Sequence, residues 1–309
     1  MTVRAAVVGV GYLGRHHARI YAELEGVELV GVVDSNRKQA DDIAAQYGCA
    51  AFSDHRDILD KVDALSIVTP TTAHYAVARD CIAAGKDLLI EKPITTTIEE
   101  ADCLIQQAAK KGVLIQVGHL ERFNPVLEAL TPLIQNPVFL EAERISPFQG
   151  RGTDVDITLD LMIHDIDIVL GIMQGNPVTS VKASGMRLMT KTIDVAKAWL
   201  DFENGTHALL TASRVAPDKS RKLTVYQKDC HLIMDYQAME IRKYYVQGGT
   251  LAHDVISVER TEPLKEELRH FIACIQTRST PRVCGLKGRD ALTIALQAGF
   301  EIKKRWQQA

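Results

Sequence analysis
The chain is 309 residues long, 46% hydrophobic and 24% charged, with a formal net charge of −3. These values are ordinary for a globular protein and leave room for two domains with cores of their own. They argue against nucleic-acid binding, since no basic block is present, and against a membrane span, since the longest apolar runs are strand-sized.

The first element is a buried-strand run, Ala5 to Val8, that breaks into Gly9, Gly11 and Gly14 in the spacing G-x-G-x-x-G, with Tyr12 and Leu13 inside the loop. A helix is predicted from Arg15 to Leu24. In this pattern the first glycine allows a tight turn, the second lets a pyrophosphate approach bare backbone, and the third lets helix and strand pack closely. The phosphates would rest on free N–H groups at the helix N-terminus. A second strand, Val27 to Val33, ends in Asp34, twenty residues after Gly14, where a carboxylate meets an adenosine ribose 2′-hydroxyl. A strand starting near residue 3 leaves no room for a targeting segment, so the expected address is the cytoplasm.

Helices are predicted at Arg37 to Tyr47 and Asp54 to Lys61, around a short element near Ala50 and Phe52. Strand Ala64 to Val68 ends at Thr69-Pro70, and helix Thr72 to Ala84 stops at Gly85. Strand Asp87 to Ile90 leads into Glu91-Lys92-Pro93, Thr97 to Glu100 is a capping box for a helix running to Lys111, and Val113 to Val117 is a further strand. This alternation predicts a parallel, doubly wound sheet whose ligands bind at the carboxyl ends of the strands. Gly9, Asp34, Thr69-Pro70, Glu91-Lys92 and Gly118-His119 all fall at such ends.

After about residue 120 the pattern changes. Helices are predicted at Pro125 to Gln135 and Leu159 to Met173, flanking a strand from Val138 to Ser146. Strands then follow without intervening helices at Val178 to Met186, Ala196 to Phe202, His207 to Ser213, Lys222 to Gln227, Cys230 to Asp235 and Glu240 to Tyr245, the hallmark of an antiparallel sheet. Asn204-Gly205 reads as a hairpin turn. Helices at Leu264 to Gln276 and Lys287 to Trp306 close the chain. The expected division is 1–120 and 121–309. The six cysteines (Cys49, Cys81, Cys103, Cys230, Cys274, Cys284) form no C-x-x-C pair and no zinc-spaced cluster, so they read as reduced small hydrophobes, and no metal is expected.

Three stretches are candidates for chemistry. Lys92, at a parallel strand end, would face the cofactor crevice and hydrogen-bond a developing alkoxide; spacing alone equally allows a surface lysine. Asp160, His164 and Asp167 stand at i, i+4 and i+7 of a predicted helix, one face on which the carboxylates would orient the imidazole as a general base, unless that face is merely solvated. A metal reading of the same residues lacks a second histidine. In Gly118-His-Leu-Glu-Arg-Phe-Asn-Pro125, Arg122 would reach phosphate or a sugar hydroxyl, or else the stretch is a plain interdomain turn.

Taken together, G9-V-G-Y-L-G14, T69-P-T-T-A-H74, E91-K-P93 and D160-x-x-x-H164-x-x-D167 make the chain resemble the glucose-fructose oxidoreductase, inositol dehydrogenase and rhizopine catabolism (Gfo/Idh/MocA) family along essentially its whole length. The resemblance implies a Rossmann domain followed by an α/β domain with a large, mostly antiparallel open sheet that binds substrate and makes homodimers or homotetramers. It also implies nicotinamide-dependent oxidation of a sugar or cyclitol hydroxyl. Lys92 and His164 become the catalytic pair, with Asp160 beside the substrate. Thr69, Pro70, His74, Glu91 and Lys92 join the glycine loop with Tyr12 and Leu13, Asp34, His119 and Arg122 around the cofactor. Where the family has D-x-G-x-H, this chain has Met162 in the glycine place. With the 118–125 stretch, that resembles the branch oxidising the 3-hydroxyl of UDP-N-acetylglucosamine.

Asp34 favours NAD over NADP, because a carboxylate repels a 2′-phosphate, while Arg37 nearby argues the other way. A UDP-sugar needs donors for its diphosphate, for which Arg151, Arg187, Lys191 and Arg214 are candidates or plain surface charge. The rival readings are an inositol or free-sugar dehydrogenase and, from another class, a non-catalytic NAD(P)-dependent ligand-sensing regulator.

Overall fold
The computed structural model describes residues 2–150 and 155–307, and it divides the chain into two compact units, Met1–Leu120 with Glu262–Arg289, and Glu121–Thr261 with Asp290–Ala309.

In the first unit, six parallel strands run in the order β3-β2-β1-β4-β5-β6: β1 (Val3–Val8), β2 (Val27–Val33), β3 (Ala50–Phe52), β4 (Ala64–Ile67), β5 (Asp87–Glu91) and β6 (Ile115–Gly118). That is the doubly wound dinucleotide order, with its switch point between β1 and β4. The helices are α1 (Gly14–Glu23), α2 (Arg37–Tyr47), α3 (Thr71–Ala83) and α4 (Ile98–Lys111). Local chemistry sets their ends. Asn36 caps α2 by accepting from the Gln39 N–H, and the Thr97/Glu100 capping box opens α4. The helix expected at Asp54 to Lys61 shrinks to a single 3₁₀ turn, His55–Ile58, where Asp54 accepts from the Arg56 N–H.

The division differs from the expected 1–120 and 121–309, because residues 262–289 belong to the first unit. The physical reason is α7 (Pro263–Thr277), whose apolar face buries Leu268, Phe271 and Ile272 with Ala5, Val7 and Tyr21. Arg278 adds to this by donating to the Asp87 carboxylate at 2.5 Å and to Gly112 O at 2.6 Å.

In the second unit, eight strands run in the order β14-β13-β12-β11-β7-β10-β9-β8. They are β7 (Phe139–Ile145), β8 (Val178–Met186), β9 (Val195–Phe202), β10 (His207–Ser213), β11 (Ser220–Tyr226), β12 (Cys230–Asp235), β13 (Glu240–Gln247) and β14 (Thr250–Ser257). All neighbours pair antiparallel except β7 with β10. One face buries Leu140, Ala198, Leu210, Val225 and Leu232 beneath α5 (Pro125–Leu130), α6 (Ile163–Ile172) and the later part of α8 (Gly285–Trp306). Strand β14 was not expected: its residues are nearly all exposed and lack alternation, although the Gly248-Gly249 turn before it is a hairpin signal. Helix α5 is shorter than expected because Pro132 turns the chain into a 3₁₀ segment. The Asn204-Gly205 turn joins β9 to β10 as expected. Among the described residues no helix is long and apolar enough to cross a membrane, and no group of three His, Cys, Asp or Glu is placed to hold a metal.

Candidate active site
The glycine loop of the first unit is built by close approach. Gly9 has φ +88°, and a Cβ there would meet Val68 O at 2.6 Å. A Cβ on Gly14 would stand 1.8 Å from Gly9 O, so strand end and helix start touch backbone to backbone. Around Gly11 a Cβ would meet nothing within 4 Å, which leaves backbone open on the side where a pyrophosphate would lie. Tyr12 is exposed, stacked by Arg15 at 5.0 Å, and Leu13 is half-buried at the helix start.

Asp34 ties β2 to this loop. Its Oδ2 accepts from Val10 N at 2.9 Å and from Gln39 Nε2 at 3.0 Å, and its Oδ1 accepts from Asn36 N at 2.9 Å. Arg37 is paired along α2 with Asp41 at 3.0 Å. An acid at the end of β2, an engaged arginine and an open glycine backbone fit a dinucleotide carrying a free 2′-hydroxyl.

The ends of β4 and β5 are braced from below. His74 is buried with Nδ1 2.9 Å from Pro93 O and Nε2 2.9 Å from Thr69 O, so one imidazole joins both loops. Burial lowers its pKa, against the pull of those carbonyls and of Glu91, and the neutral ring donates to one carbonyl at a time. Glu91 is also buried. Its carboxylate accepts from the Lys92 N–H at 3.3 Å, lies 3.3 Å from His17 Nε2, and packs on Gly118, where a Cβ would come within 2.8 Å. Both residues thus bind protein groups under the crevice, while Thr69, Pro70 and Lys92 stand nearer its surface and His119 is buried at the end of β6. The Lys92–Pro93 peptide is cis, and β5 ends at Glu91 just before it.

In the second unit, the helix expected from Leu159 to Met173 holds a surprise at Asp160. Residues Thr158–Met162 form a π turn, and regular α-helix begins at Ile163. Such turns are frequent at functional sites, and this one breaks the single α-helical register that placed Asp160, His164 and Asp167 on one face. Asp160 is 28% exposed and sits 4.0 Å from Arg214 Nη2; His164 is half-buried; Asp167 is buried, 3.9 Å from Arg122 Nε. Each carboxylate therefore has an arginine beside it, with Asp160 and His164 partly exposed and Asp167 buried. Arg122 donates from Nη1 to Asp167 O at 3.1 Å and packs on Gly171, where any Cβ would collide with the guanidinium. The structure thus places Arg122 across α6.

Behind His164 runs a buried network that its sequence neighbourhood did not reveal. Arg144 on β7 grips Asp165 through two hydrogen bonds, 3.0 and 2.9 Å, and reaches Glu121 at 2.8 Å. Burial opposes its charge, but Asp165 and Glu121 outweigh that and hold the guanidinium above its usual value. Burial also works against Glu121, yet Arg144 and the Asn124 amide keep it below the usual range. Of the diphosphate candidates, Arg214 is buried and internally bonded, Arg187 stacks on Trp306 at 4.4 Å, Lys191 is exposed, and Arg151 lies outside the described residues.

Residues 3–119 match the oxidoreductase family with an NAD-binding Rossmann fold, and residues 141–232 match the Gfo/Idh/MocA C-terminal domain. The chain is 37% identical over 308 residues to UDP-N-acetylglucosamine 3-dehydrogenase of Acidithiobacillus ferrooxidans, covering 97% of each sequence. A solved structure of that enzyme superposes with a TM-score of 0.94 at 36% identity, covering 98% of both chains. The scyllo-inositol 2-dehydrogenase of Bacillus subtilis is 28% identical over 96% of this chain and 92% of its own length. With its Rossmann sheet, open antiparallel sheet and full-length likeness to named dehydrogenases, this chain belongs to the Gfo/Idh/MocA family of NAD-binding oxidoreductases.

Proposed function
We propose that this oxidoreductase oxidises the 3-hydroxyl of UDP-N-acetylglucosamine in the cytoplasm, using Lys92, His164 and Asp160. The observation that carries the reading is the 37% identity to a UDP-N-acetylglucosamine 3-dehydrogenase across 97% of the chain, within which Asp160 stands on the π turn and His164 on the α6 turn that follows it. Bound NAD⁺ would supply the hydride acceptor. His164 takes the proton of the sugar hydroxyl, Lys92 hydrogen-bonds the alkoxide that develops, and Asp160 orients the imidazole. Gly9, Gly11 and Gly14 hold the pyrophosphate and Asp34 the ribose, while Glu91 and His74 fix the backbone on which Lys92 and Thr69 stand. A second reading, oxidation of an inositol, is favoured by the 28% identity to the scyllo-inositol enzyme. NADH absorbance after mixing protein and NAD⁺ with UDP-N-acetylglucosamine, its uronic acid and myo-inositol in parallel decides between them.

The second unit is read as the substrate-binding and oligomerising part. The sheet face turned away from its core supports this: His253, Tyr244, His231, Tyr226, Phe139 and His207 pair strand by strand across β14, β13, β12, β11, β7 and β10. The ring centroids from His253 to Phe139 lie 4.8–5.8 Å apart. An aromatic row of that length on an outer face suits burial against a second copy. Light scattering should give a dimer or tetramer; a monomer at assay concentration ends this part of the reading.

A further inference from the structure
We propose that Arg214 is a positioning residue that holds the Asp160 carboxylate in place and ties it to the loop at residues 188–190. The proposal rests on the reading that Asp160 works with His164.

Arg214 directly follows β10, and its side chain is only 5% exposed, unusual for an arginine without a strong reason to be inside. That reason is its anchoring on every side. The backbone N–H donates to Asp194 O at 3.1 Å, and Nη2 donates to Val155 O at 2.9 Å. Nε lies 3.9 Å from Asp194 Oδ1, and Nη2 lies 4.0 Å from Asp160 Oδ2. The guanidinium is thus a fixed cation between two carboxylates of different character.

Asp194 is the rigid one. It is fully buried, and its oxygens accept from Leu188 N at 2.8 Å, Met189 N at 2.7 Å, Thr190 N at 2.9 Å and the Thr190 hydroxyl at 2.6 Å. Despite burial, these donors push its pKa down to about 2, so it is a permanent anion at working pH. Asp160 is the accessible one, set on a π turn with no regular α-helical register to fix it. The guanidinium, fixed by Val155 O, stands within ion-pair reach of both carboxylates, so its charge links the position of the second to that of the first. The neighbouring segment is pinned in the same way: Ile193 N donates to Asp156 Oδ1 at 3.0 Å, and Ile157 N to Ile193 O at 3.0 Å. Loop, π turn and Arg214 therefore form one continuous polar assembly inside the second unit.

The test is a double-mutant cycle in the full-length protein, with steady-state NADH formation from UDP-N-acetylglucosamine, NADH binding by fluorescence and a thermal melt for each variant. Displacement of a working group by a fraction of an ångström to an ångström costs up to about a hundredfold, so Arg214→Met should lower kcat about 10- to 100-fold with NADH affinity unchanged. Arg214→Lys, which keeps the charge and one contact, should recover part of that loss; it also replaces Arg214→Met in the cycle if the methionine variant does not fold. Because Arg214 acts through Asp160, the double variant with Asp160→Asn should be no slower than Asp160→Asn alone. Losses that multiply in the double variant overturn the proposal while leaving the role of Asp160 intact. A fully active Asp160→Asn overturns both.

Discussion
The two units build their functional groups by opposite means. In the first, the site rests largely on backbone: three glycines, strand ends, carbonyls braced by His74 and the Lys92 N–H held by Glu91. In the second, it consists of side chains that reach one another across long stretches of sequence, such as Arg144 with Asp165 and Glu121, and Arg214 with Asp194 and Asp160. A backbone site tolerates changes that keep the chain path but not an added Cβ. A side-chain site tolerates neither loss of charge nor loss of reach.

The sharpest way to separate the two is to break each at one atom. His164→Ala removes the proposed base, so turnover should fall about a hundred- to ten-thousand-fold while NADH still binds as in the wild type. Retained turnover would remove His164 from the mechanism. Next in size, Arg144→Met removes both hydrogen bonds of the buried Asp165 carboxylate and leaves Glu121 with Arg221 at 3.9 Å, and should cost about 3–5 kcal/mol in denaturant melts. A loss below about 1 kcal/mol would mean that the network is not what holds α6 against the sheet.

Asp194 gives a smaller, pH-dependent effect. Its folded-state pKa, about 2, lies below that of the unfolded chain, so its contribution is complete above the unfolded value and is lost as pH falls toward 2. Asp194→Asn should therefore cost about 2 kcal/mol at neutral pH and progressively less as pH falls through that window. An equal cost at both ends would refute the hydrogen-bonded carboxylate as the source. The smallest effect belongs to the first unit. Gly11→Ala has open space for its methyl group, so the melting temperature should stay put, yet NADH affinity should drop on the order of tenfold, worth about 1.4 kcal/mol. Unchanged affinity would mean that no phosphate comes against that backbone.

The same contrast explains what could be read in the sequence. Gly9, Gly14, Asp34 and the Thr97–Glu100 box announce local geometry through residue type and spacing, and the parallel sheet follows from the β-α alternation, while its strand order does not. Most strands of the open sheet were legible from alternation, while β14 was not, because a strand exposed on both faces carries no alternating pattern. Asp160 and His164 stood out by helical spacing, but the π turn that modifies that spacing has no sequence signature here. Arg144, Asp165 and Arg214 depend on which strands come to lie side by side, a property of the sheet and not of any short stretch. The affiliation of residues 262–289 with the first unit is of the same kind, since α7 reveals its amphipathic face but not the sheet it will cover.

The central claim is that Lys92, His164 and Asp160 remove hydrogen from a UDP-sugar hydroxyl with NAD⁺ as acceptor. The most direct measurement is NADH absorbance on mixing the protein with NAD⁺ and UDP-N-acetylglucosamine, beside myo-inositol and the His164→Ala variant. The account predicts NADH from the UDP-sugar, none from the inositol, and formation slowed about a hundredfold or more in the variant. NADH from the inositol alone, or undiminished NADH from the variant, would contradict it.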